Sequence, residues 1–81
     1  MISPVQARCD AFVYLEEKYS ELLEEADKLI KKEVSLGNFK AEISIPKLSA
    51  HEQEQFKRLL EYNGYLVHFH YQKDNTLIIE W

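Results

Sequence analysis

Apolar positions recur at helical spacing in the first part of the chain and at strand spacing in two later stretches. Ser3-Pro4-Val5-Gln6 reads as a helix start. Ser3 caps, Pro4 suits the first helical position, and Gln6 stands where a capping box needs it. The next breaker is Gly37, with Lys31 and Lys32 in the turns before it, where cations suit the helix dipole. The spacing therefore predicts one helix from Pro4 to Leu36. Lys40 to Pro46 alternates, with Ala41, Ile43 and Ile45 on one face, and reads as a half-buried strand. Ser49 to Glu52 is a second capping box, opening a short helix with Phe56, Leu59 and Leu60 on its stripe. Asn63-Gly64 ends it, and a Schellman turn there would bring Tyr65 to Leu60.

Two alternating strands follow, Tyr65 to Tyr71 and Thr76 to Trp81. If the odd-numbered residues of both face the core, paired residues sum to an even number. A three-residue loop, Lys73 to Asn75, meets that condition, with Asn75 in the left-handed region. The expected inner pairs are Tyr71–Leu77, Phe69–Ile79 and Val67–Trp81; the outer ones are His70–Ile78 and His68–Glu80. The fold class is α+β. A long N-terminal helix and a short second helix pack on one face of a three-stranded sheet, forming a two-layer sandwich in the order α-β-α-β-β. The single domain covers 1–81, divided into the helix at 4–36 and a β-α-β-β unit at 39–81. The outward sheet face carries Leu66, His68, His70, Ile78 and Glu80.

The first helix is too long for this sheet. About 33 residues span roughly 50 Å, whereas strands of about seven residues span roughly 23 Å. From Tyr19 onward, Leu22, Leu23, Ala26, Leu29, Ile30 and Val34 fall on one arc, and Glu21, Glu24, Lys28 and Lys31 on the other. Earlier, Phe12, Val13, Tyr14 and Leu15 point all round the axis, a pattern that calls for cover on more than one side. These four are the expected oligomer or partner interface, and the first expected partner is a second copy of the chain.

Composition narrows the chemistry. A net charge of −4 lacks the basic face that phosphate binding requires, so nucleic acid is not an expected partner. No apolar run reaches the roughly 20 residues of a membrane span. The single cysteine, Cys9, suits a reducing compartment, and Met1 to Pro4 lacks the charged start of a signal peptide. His68 and His70 share a strand face, and His51 is a possible third ligand, but zinc wants three or four ligands and no metal is expected. Cys9 has no implied base beside it. Glu16-Glu17 and Glu24-Glu25 point about 100° apart and are not catalytic dyads. With two glycines there is no phosphate loop, and the strand aromatics read as core rather than a base-stacking platform. No cofactor and no catalytic residue is expected, so the chain reads as a non-enzyme.

The run Asn63-Gly64-Tyr65-Leu66-Val67, with a closing strand Ile78-Ile79-Glu80-Trp81, resembles small accessory proteins of tailed bacteriophages and prophages. The likeness covers Lys40 to Trp81 and rests on the helix, strand, helix, hairpin order and the terminal aliphatic-x-Trp. That group has no agreed activity. The resemblance implies a virus-encoded protein acting in the host bacterial cytoplasm or in virion assembly. The leading expectation is a protein–protein interaction module that oligomerises through its first helix and binds or blocks a host or viral protein. The alternatives are a protein sequestering a nucleotide signal at a subunit interface, an acidic mimic of DNA, or a virion component.

Overall fold

A computed structural model describes residues 1–81. Three helices and three strands occur in the order α1 (Pro4–Lys18), α2 (Ser20–Ser35), β1 (Lys40–Ser44), α3 (Ala50–Tyr62), β2 (Leu66–Phe69) and β3 (Thr76–Glu80). The strands form one antiparallel sheet in the order β1-β3-β2, so the last strand is the central one. α2 packs on β1, α3 on β2, and α1 on α3. The α+β class and the two-layer arrangement follow directly.

The local signals act as the sequence indicates. Ser3 accepts from the Gln6 amide at 3.1 Å, but the Gln6 side chain turns to Asp10 instead of completing the box. The Ser49–Glu52 box is complete. Both glycines end their helices in Schellman turns. Gly37 N–H donates to Val34 and Asn38 N–H to Glu33; Gly64 N–H donates to Glu61 and Tyr65 N–H to Leu60. Both have positive φ, 78° and 97°, which a glycine adopts without strain.

Two expectations are corrected. The helix over 4–36 is two helices, interrupted at Tyr19 with φ −109° and ψ 24°. No glycine or proline causes this. Tyr19 is buried, its hydroxyl donates to Gln55 Oε1 at 2.7 Å, and its ring lies 5.8 Å from Phe56. Seating that ring against α3 takes precedence over ideal helix geometry at one residue. The ladder otherwise continues, since Tyr19 N–H donates to Leu15 and Leu23 N–H to Tyr19. The 47 Å long dimension matches the roughly 48 Å of two helices end to end.

The hairpin register is the second correction. The pairs are Val67–Ile79 and Phe69–Leu77 inside, His68–Ile78 and Leu66–Glu80 outside. Parity is as expected, but the register is shifted by two residues and Tyr71 to Asn75 all lie in the loop. His70 is the reason. Its N–H donates to Thr76, and its Nδ1 accepts from the amides of Gln72 and Lys73, both at 3.0 Å. That closes a wider loop than strand pairing alone would choose. Tyr71 is consequently 86% exposed, and Phe69 and Trp81 sit at the rim instead of in the core. Asn75 does take the left-handed position, at φ 55°.

The core is Tyr19, Ala26 and Ile30 from the helices on one side, Phe56, Leu59 and Leu60 from α3, and Ile43, Ile45, Val67, Leu77 and Ile79 from the sheet. The loop before β3 is tied to it. Asn75 C=O accepts from the Ile45 amide at 2.7 Å, and its Oδ1 accepts from the buried Gln53 amide group at 2.7 Å. Asn75→Ala loses that acceptor and strains the backbone, and it should cost roughly 2 kcal/mol; Asn75→Gly loses only the acceptor and should cost about 1 kcal/mol. Denaturant midpoints at unchanged slope measure both.

Candidate functional site

α1 buries none of its residues, although its sequence is rich in apolar side chains. Of the four residues expected at an interface, the structure divides two from two. Phe12 turns onto α3, with its ring 4.2 Å from that of Tyr62. Leu15 is half-buried against the core. Val13 and Tyr14 are 53% and 59% exposed. The apolar surface continues toward the N-terminus through Cys9, Val5 and Ile2, all exposed. Val5, Cys9 and Val13 are four apart and make one stripe along the helix. Gln6, Asp10, Glu16 and Glu17 border it.

The base of α1 is held firmly. Besides the Tyr19 hydrogen bond, Lys18 Nζ lies 3.6 Å from Glu52 Oε2 and 3.4 Å from Gln55 Oε1. The Ser49 contacts of the capping box, with help from Lys18, hold the Glu52 carboxyl below its ordinary range. One carboxylate thus starts α3 and also fastens the end of α1. Nothing in the sequence marked Lys18, Tyr19 and Gln55 as a unit; the only signal was the change of apolar pattern at Tyr19.

The outward sheet face is less open than alternation suggests. Leu66 and His68 are exposed, Glu80 is half-buried, and Ile78 is only 9% exposed. The His70 side chain is 10% exposed, with Nε2 at 3.6 Å from Glu42 Oε1. Glu42 also accepts from Lys73 Nζ at 3.1 Å, and this bond lowers its pKa. The histidines are not brought together as a ligand set. His51 lies on the first turn of α3, whereas His70 Nδ1 is occupied by loop amides. No group of three His, Cys, Asp or Glu could hold a metal ion. On α2 the ion pair is Asp27–Lys31 at 2.8 Å.

Two concavities flank β1. One, of 740 Å3, is edged by Phe39, Lys40, Leu66, Glu80 and Trp81. The other, a groove of 400 Å3, runs between α2 at Leu22 and Glu25 and the loop at Pro46, Lys47 and Leu48. No helix is long and apolar enough to cross a membrane. Comparison with protein-family models, curated proteins and solved structures found no match.

The lowered pKa values of Glu42 and Glu52 set a sign for acid stability. Their stabilisation is present above the ordinary carboxylate pKa and is lost as pH falls through the lower folded values. Wild type should therefore lose stability on acidification below the usual carboxylate range. A Glu42→Gln/Glu52→Gln variant should show a flatter dependence there, measured by denaturant midpoint against pH.

Proposed function

We propose that this chain is a non-enzymatic protein–protein interaction module that docks on another protein through the exposed flank of α1. The observation that supports this is the unburied helix. α1 presents Val5, Cys9, Val13 and Tyr14 to solvent, with Ile2 exposed just before it, while Tyr19 and Lys18 keep its base in place. A firmly held helix loses little conformational freedom on binding, so more of the contact energy appears as affinity. The partner surface is an apolar strip with basic neighbours, since Asp10, Glu16 and Glu17 border the stripe. Helix-in-groove recognition is the binding mode such a strip uses. The resemblance of Lys40 to Trp81 to phage accessory proteins points to a bacterial or viral protein as that partner, met in the host cytoplasm.

The test pairs wild type with Val13→Glu/Tyr14→Lys, both immobilised and exposed to bacterial lysate. Both positions are exposed, so the variant should keep the wild-type circular dichroism and melting temperature. A protein retained by wild type should fall at least about tenfold on the variant, a loss of about 1.4 kcal/mol. Retention of the same proteins at equal strength by both, or by neither, overturns the reading.

A further inference from the structure

The outer flank of α2 carries a second surface, and its complement lies on the same molecule. Leu22, Leu29 and Leu36 are seven residues apart. At about 100° per residue they fall within about 20° of one line. That line lies on the flank of the helix, about 60° from Ala26 and about 100° from Ile30, with Leu22 and Leu29 also packed against the edge of the core. Leu22 and Leu29 are half-buried, and Leu36, at the end of the helix, is 65% exposed. Glu25 and Lys32 are both exposed and lie to one side of the line, about 40° and 60° from it. The 400 Å3 groove opens on this flank, at the Leu22 end, with Leu22, Pro46 and Leu48 as its apolar wall.

We infer that two copies of the chain associate through this flank, with their α2 helices antiparallel about a two-fold axis at Leu29. Leu36 lies seven residues from Leu29, roughly 10 Å, and the groove lies the same distance on the other side. The two-fold therefore seats Leu36 of each copy in the groove of the other. It sets Leu29 against Leu29. It also places Glu25 opposite Lys32 twice, because in an antiparallel pair each flank meets its own counterpart. In a parallel pair each flank would meet the opposite flank of its partner, so Glu25 and Lys32 would not face each other.

The stripe on α1 has no such match. Self-pairing about Cys9 would leave Glu16 in the seam and Asp10 and Glu17 beside it, with no cation on that flank. Self-association, expected of α1 from its apolar pattern, is therefore assigned to α2. Both α1 stripes remain free in the pair, and the inference does not depend on what α1 binds.

Three leucines per copy, two of them already half covered, amount to less than the roughly 800 Å2 per partner of a standard interface, so the pair is reversible. Sedimentation equilibrium on the full chain from about 10 μM to about 1 mM covers the range where such contacts form. The mass should rise toward that of a dimer. Leu36→Glu should weaken association at least about tenfold without changing the melting temperature. Glu25→Lys should weaken it and Lys32→Glu likewise, while Glu25→Lys/Lys32→Glu should restore it. Val13→Glu should leave it unchanged. A wild type that stays monomeric, a Leu36→Glu variant of unchanged mass, a double variant that fails to recover, or dissociation by Val13→Glu overturns the inference. The last of these would return self-association to α1.

Discussion

Everything in this molecule is arranged around the central strand. β3 is paired on both edges, and Leu77 and Ile79 are fully buried under the helices. Thr76 and Ile78 on its outward side are nearly as covered, although no helix lies there. A chain of 81 residues has material for one small core, and one face of a three-stranded sheet is what it fills. Two helices suffice to cover three short strands. α2 over β1 and α3 over β2 do so, and α1 is left with only α3 to lie on.

That surplus is stiffened rather than left to fray. Tyr19 closes the core at the point where the helix leaves the sheet, and its hydroxyl is satisfied by Gln55, so the buried ring carries no unpaired polar group. Lys18 and Glu52 add a partly exposed pair whose energetic value is small but which shares its carboxylate with the α3 cap. Phe12 on Tyr62 then sets the rotation of α1. A turn of about 100° would carry Val13 inward and Phe12 outward. The aromatic contact therefore decides which apolar residues α1 offers.

The two free flanks differ in chemistry. The α1 stripe is apolar with an acidic border, which suits a different chain with basic neighbours. The α2 flank carries Glu25 and Lys32 on one side of Leu29, four and three residues from it, and that is the match proposed for a second copy. One helical stretch of the sequence thus carries two distinct apolar flanks, separated by the break at Tyr19.

The order of strands and helices after Gly37, both helix starts, the glycine ends at Gly37 and Gly64, the odd-numbered core face of the sheet and the left-handed Asn75 were legible in the residues. Each is decided by neighbours within a few positions, through caps, glycines and alternation. Tertiary contacts decided the rest. The break at Tyr19 depends on Gln55 and Phe56, more than 30 residues away, with no local breaker to announce it. The two-residue shift of the hairpin depends on an imidazole accepting loop amides, a choice parity cannot see. The inward turn of Phe12 depends on where α3 happens to end. Periodicity in a sequence reports how much apolar surface a helix carries; only the packed neighbours determine which part of it stays uncovered.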